Sequence, residues 1–237
     1  MSWNVNGLSD SKILLHSYDV FFQQFDLILL QETRCTHVDP NIFPGYKIFT
    51  TPVEQSSSKR GYGLITAVRE TASVGSQFWS HTSSSLWVCL RFWGDLHPPV
   101  YVGNVYIPPV GSPLLSTHDL EWRFGELSGK VTELEGDTTH IFMGGDFNGH
   151  VEYASSSATL RQGKHVGQNR GGRLMVKLAV ETNLSICTGR VVGDLHFAAT
   201  YRATQTVVPH KARPHFGFHF TFAMYRISRS AIRGEGI

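Results

Sequence analysis

Two stretches of this chain pass abruptly from apolar to polar in a way that invites chemistry. Leu27-Ile28-Leu29-Leu30 ends in Gln31-Glu32-Thr33, and His140-Ile141-Phe142-Met143 ends in Gly144-Gly145-Asp146-Phe147-Asn148-Gly149. Ligands collect beyond the ends of buried strands, where rigid elements release the chain into loops. The two glycines before Asp146 permit a tight turn and close approach of a substrate. A third polar group sits at the start, where alternation along a short strand in Trp3-Asn4-Val5-Asn6-Gly7 puts the carboxamides of Asn4 and Asn6 on one face. Carboxylate and carboxamide oxygens suit a hard cation such as magnesium better than zinc. Taken singly, each piece has an ordinary explanation. Glu32 alone reads as a solvated charge or helix cap, Gly-Asp-Phe-Asn-Gly as a turn, and the two Asn as surface residues.

Positioning such groups requires strands that end at them. Leu27–Leu30, Gly61–Val68, Leu86–Phe92, Val100–Ile107 and His140–Met143 are rich in β-formers and bounded by Gly, Pro, Asp or Ser. Helical spacing runs through Leu14, Tyr18, Phe21, Phe22 and Phe25 after caps at Ser9-Asp10-Ser11. It recurs in Leu120, Phe124, Leu127, Val131 and Leu134 after Ser116 and Asp119, and in Arg173–Asn183. Several strands follow one another between residues 46 and 107 without helices between them. That grouping argues for an α/β fold of two mixed sheets packed face to face with helices on the outer faces. Gln55–Arg60 reads as a flexible loop.

Composition narrows the class. The chain has 237 residues, 41% hydrophobic and 17% charged, which is globular rather than disordered. Its apolar runs fall far below a membrane span, and no signal-peptide pattern opens the sequence. The formal charge of +2 is too small to identify a polyanionic partner. Cys35, Cys89 and Cys187 are widely spaced and suit neither a disulfide framework nor a zinc site, so an intracellular protein, nuclear or cytoplasmic and without membrane attachment, is expected. After Asp194 the only acid is Glu235, against five Lys or Arg from Val207 onward. Residues 1–206 read as the domain and 207–237 as a divergent basic tail.

Six segments, in order, resemble the endonuclease/exonuclease/phosphatase superfamily. They are Ser2–Leu8, Leu29-Leu30-Gln31-Glu32-Thr33-Arg34, Gly61-Tyr62-Gly63-Leu64, Asn104-Val105-Tyr106-Ile107-Pro108-Pro109, Gly144-Gly145-Asp146-Phe147-Asn148 and Ala199-Thr200-Tyr201-Arg202. The pattern is closer to the endonuclease domain of non-LTR retrotransposons, itself of the abasic-site endonuclease type. The resemblance implies a DNase I-like sandwich and a phosphodiesterase using Mg2+, with Mn2+ as a substitute, on nucleic acid, DNA first. It also implies a lost reverse-transcriptase neighbour. Glu32 would be the principal metal ligand, with Asn4 beside it and Asn6 where many members carry Asp. Tyr106 would touch the scissile phosphate or stabilise the leaving oxygen, Asp146 would orient and deprotonate the attacking water, and Asn148 would hold the phosphate.

Other members go on to a Ser-x-Ile-Asp-type strand and a terminal Ser-Asp-His segment. Here the first place reads Phe218–Met224, with Thr221 at the Asp position, and no Asp–His pair comes after it. The chain therefore reads as a family domain trimmed at both ends and incomplete at its C-terminus, with an unpaired sheet edge and impaired catalysis. Two alternatives accompany this reading. One is a catalytically inactive remnant that binds nucleic acid or phosphate, and the other a phosphodiesterase for a substrate other than nucleic acid.

Overall fold

The apolar run Leu27–Leu30 has no polar member, and the reason is that both its faces are covered. Leu27 and Leu29 point into a layer between two sheets, while Ile28 and Leu30 point the other way into a separate cluster. The computed structural model describes residues 1–8, 22–35, 38–39, 42–51, 63–72, 75–92, 98–112, 115, 119–134, 140–151 and 168–186, with the backbone of 222–226.

The first sheet contains β1 (Ser2–Asn4), β2 (Leu27–Gln31), β3 (Tyr46–Thr51) and β4 (Leu64–Arg69) in the order β1-β2-β4-β3. Only β1 and β2 run parallel, with Asn4 level with Gln31. The second sheet contains β5 (Gly75–His81), β6 (Ser85–Arg91), β7 (Val100–Tyr106), β8 (His140–Asp146), β9 (Ser185–Ile186) and β10 (Phe222–Arg226). Its order is β5-β6-β7-β8-β10-β9, and β7 and β8 are parallel, with Tyr106 level with Asp146. The crossover between those two strands carries α1 (Asp119–Glu133), and α2 (Arg170–Glu181) comes after β8.

Three apolar layers hold this arrangement. Leu29, Leu64 and Val68 of the first sheet meet Leu86, Val88, Val102 and Tyr106 of the second between the sheets. Trp3, Ile28, Leu30 and Ile65 pack on the outer side of the first sheet with Phe22, Phe43 and Tyr46. Leu120, Phe124, Leu127 and Val131 of α1, with Met175 and Leu178 of α2, cover Trp87, Val105, Ile141 and Met143 on the outer side of the second. The sandwich expected from the sequence is thus the observed one, with mixed pairing in both sheets.

Several boundaries differ from the sequence reading for local reasons. The helix expected from Arg173 begins at Arg170, because Asn169 caps it by accepting from the Gly172 amide at 2.7 Å. The helix expected after Ser9 lies outside the described residues apart from the 3-10 turn Phe22–Gln24, and so does the loop Gln55–Arg60. Within the stretch read as a basic tail, the backbone of Phe222–Arg226 pairs with β8 and with β9. That strand overlaps the stretch Phe218–Met224 where the Ile-Asp-type strand was sought, and β8 is paired there on the side away from β7.

Burial holds the His140 imidazole at the start of β8 below its ordinary value of 6.5. The neutral ring is the form the fold favours, so the unfolded chain binds the proton more readily. Stability contributed here is complete above pH 6.5 and is lost as pH falls through the folded value. Urea midpoints taken between pH 7.5 and 5.5 should fall less in His140→Gln than in the unmodified chain.

Candidate functional site

Both strand ends singled out in the sequence arrive at the same place. β2 stops at Gln31 and β8 at Asp146, on facing sheets, and β1 delivers Asn4 between them. The Asn4 Nδ2 donates to Glu32 Oε1 and to Asp146 Oδ2, each at 2.8 Å. The two carboxylate oxygens are therefore separated by no more than twice that length. Two like charges converge on a single amide nitrogen, an arrangement that a cation would stabilise.

Backbone hydrogen bonds fix the residues of this cluster. Asp146 Oδ1 accepts from the Asn148 amide at 3.0 Å, closing a turn, and Asn148 Nδ2 donates to the Ile107 carbonyl at 2.9 Å. The Ile107 amide in turn donates to the Asp146 carbonyl at 2.9 Å, tying the end of β8 to the end of β7. The Gly7 amide donates to the Glu32 carbonyl at 2.7 Å and the Leu8 amide to that of Thr33 at 2.8 Å, which locks the β1 and β2 loops together.

The other predicted residues fall differently. Tyr106 lies level with Asp146, with its ring buried in the layer between the sheets. Asn6 does not continue the strand beside Asn4. Its amide donates to Asn4 Oδ1 at 3.0 Å and its φ is 47°, so the chain turns away after Asn4. The Asn6 carboxamide oxygen accepts from Arg34 Nη2 at 2.5 Å, and the same nitrogen donates to Glu32 Oε2 at 2.8 Å. Asn6 thus reaches the site through Arg34, a residue to which sequence reasoning gave no role although it closes the Gln-Glu-Thr-Arg segment.

A second pair escaped the sequence reading. Gln31 and Asn104, both fully buried, meet across the sheets, Gln31 Nε2 donating to Asn104 Oδ1 at 2.7 Å. Asn104 Nδ2 donates to the carbonyls of Leu30 and Ile65 at 3.1 and 2.9 Å. This polar bridge stands one residue behind Glu32 and aligns the first sheet on the second. Replacing Asn104 by Ala removes the donor to two buried carbonyls and the cross-sheet acceptor of Gln31 Nε2, which keeps Ser2 Oγ and the Leu29 carbonyl, so a loss of about 2 kcal/mol is expected in a urea titration. A loss below about 1 kcal/mol would mean the bridge does not set the alignment.

Two carboxylates at the ends of rigid strands meet across the Asn4 amide nitrogen, and carboxylate oxygens are the donors a hard divalent cation takes. Among the described residues no group of three or more His, Cys, Asp or Glu is placed to hold a metal ion.

The chain resembles solved structures along nearly its whole length. It is 14% identical to the endonuclease domain of TRAS1, a telomere-specific non-LTR retrotransposon, covering 98% of this chain and 85% of that one with a TM-score of 0.58. It is 16% identical to the catalytic domain of Xenopus laevis APE2, covering 97% and 82% with a TM-score of 0.60. It is also 16% identical to the 3′ phosphatase NExo from Neisseria bound to product DNA hairpin, covering 94% and 84% with a TM-score of 0.56. No curated protein matches the sequence. A family model, Endonuclease/Exonuclease/phosphatase, matches residues 1–223. It takes in β1 through the first residues of β10 and every residue of the Asn4–Glu32–Asp146 cluster, and the chain belongs to that family.

Proposed function

We propose that this chain is a Mg2+-dependent phosphodiesterase acting on nucleic acid, with DNA as the first substrate to test and Mn2+ as an alternative ion. The convergence of Glu32 and Asp146 on the Asn4 amide carries this reading, because phosphodiester hydrolysis needs a positioned water and positive charge at the same point. Membership of the family supports it. The similar structures, a retrotransposon endonuclease domain and a 3′ phosphatase bound to product DNA, support nucleic acid as the substrate.

Glu32 with Asn4 would hold the metal, while Asn6, engaged with Arg34, stands one contact further out. An ion held there would supply positive charge against the phosphate and a lowered pKa for water. Asp146 accepts the proton of the attacking water by position, its carboxylate being oriented by the Asn4 and Asn148 N–H groups. Asn148 uses one amide hydrogen on Ile107 and keeps the other for a phosphoryl oxygen. Tyr106, whose backbone is level with Asp146, would stabilise the leaving oxygen as the resemblance implies.

Turnover by these 237 residues should be weak, since no Asp comes after Asp194 to orient a phosphate-facing histidine. The test is nicking of supercoiled plasmid and of an abasic-site duplex, with Mg2+ or with EDTA, by the chain and by Asp146→Asn. Metal-dependent nicking lost in the variant supports the reading. Equal background in both overturns it in favour of a binding remnant, whose mark is salt-sensitive DNA binding without cleavage.

A further inference from the structure

Arg34 sits in an unusual stretch of backbone. Asn6, Glu32, Arg34 and Asn148 have φ of 47°, 52°, 55° and 46°, so four of the five described non-glycine residues with positive φ lie around this one cleft. Left-handed backbone at such residues persists where the surroundings over-determine it, and it clusters at ligand-binding sites. Here its consequence is visible. It brings one guanidinium nitrogen, Nη2, onto Glu32 Oε2 at 2.8 Å and Asn6 Oδ1 at 2.5 Å, fixing the group from two sides. Among the described residues Nη1 and Nε have no partner, and the Arg34 side chain is 38% exposed against 14% for Glu32.

A guanidinium held this way by Nη2 keeps further N–H groups for a ligand beside Glu32. That is the geometry that takes an oxyanion, since a guanidinium offers a planar fork of donors matched to phosphate oxygens. A purely structural surface pair would need neither the second acceptor, Asn6, nor the left-handed backbone on both sides of Thr33.

We propose that Arg34 is a phosphate-binding residue of this cleft, gripping a non-bridging oxygen of a nucleic-acid backbone phosphate while Glu32 and Asn6 hold its guanidinium in place. The proposal rests on the nucleic-acid reading of the site and adds to it the residue that meets the strand at the mouth of the cleft.

Binding of a short fluorescein-labelled duplex in EDTA, monitored by anisotropy over a series of KCl concentrations, tests it without any need for turnover. Arg34→Gln should weaken binding about tenfold, and its slope of log K against log[KCl] should be shallower by about 0.9, the value of one lost phosphate contact. Arg34→Lys should keep the slope while recovering part of the affinity. Thermal melts of both variants should stay within a few degrees of the unmodified chain, since a partly exposed ion pair contributes little to stability. If the unmodified chain binds and Arg34→Gln binds with the same affinity and slope, the role of Arg34 is overturned and the nucleic-acid reading stands. If the unmodified chain fails to bind the duplex even at low salt, both fall.

Discussion

Asp146→Asn should leave the fold in place and remove about a thousandfold of any cleavage rate. The two carboxylate oxygens have different partners: Oδ1 accepts from the Asn148 amide and Oδ2 from Asn4 Nδ2. An asparagine keeps the first bond and turns the second into a clash of donors, which costs about 1 kcal/mol and is partly offset by removing one of two converging negative charges. Proton acceptance is lost outright, because a carboxamide is not a base at any relevant pH. A positioned general base contributes about 10²–10⁴ in rate, so kcat should fall by that order with KM little changed. Asp146→Ala is the harsher variant. It opens the turn to Asn148 as well, and should cost about 2 kcal/mol of stability besides the same loss of rate. Steady-state nicking assays with circular dichroism melts separate the two effects. A kcat within threefold of the unmodified chain in Asp146→Asn would remove Asp146 from the chemistry.

Much of the site could be read from the sequence because its two carboxylates come directly after apolar runs. Leu27–Leu30 and His140–Met143 announce buried strands, and a residue just past a buried strand lies at the end of a sheet. The sequence could not show that β8 runs on through Gly144-Gly145-Asp146, since two glycines in a row read as a turn. They stay in the strand because β7 on one side and β10 on the other hydrogen-bond them. β5 was illegible for a related reason. It is an edge strand with Phe78 and Trp79 both exposed and a register shift between Phe78 and Ser80, so alternation breaks down along it. Asn6 was misplaced because a face argument assumes the strand continues, whereas the Asn4 side chain accepts the Asn6 amide and ends it. The Gln31–Asn104 bridge joins residues 73 apart and buries polar groups where pattern predicts apolar ones, so only the packed sheets reveal it. Phe222–Arg226 is a strand by virtue of the open edges of β8 and β9, a property of its neighbours rather than of its own alternation.

Those same glycines support the most severe structural prediction. A Cβ added at Gly145 would lie 1.9 Å from the Val105 carbonyl oxygen and 2.7 Å from its carbon and nitrogen, all backbone atoms of the adjacent β7. Val105 cannot yield without parting β7 from β8, the very pairing that sets Tyr106 level with Asp146. The residue also has a φ of 158°, which an L side chain rarely adopts. Gly145→Ala should therefore cost about 4 kcal/mol or more, a large share of the roughly 5–15 kcal/mol typical of a domain. The melting temperature should fall by roughly 10 °C or more, and much of the protein should be recovered as aggregate. Gly144→Ala is the matched control, because its Cβ would meet Leu29 Cδ1 at 2.8 Å and the Phe142 ring at 3.2 Å, side chains that can shift. About 1–2 kcal/mol is expected there. If the two variants melt together, the close approach of β7 to β8 at Gly145 is not what holds Asp146 in place, and the rigid strand end on which the site depends would have to be sought elsewhere.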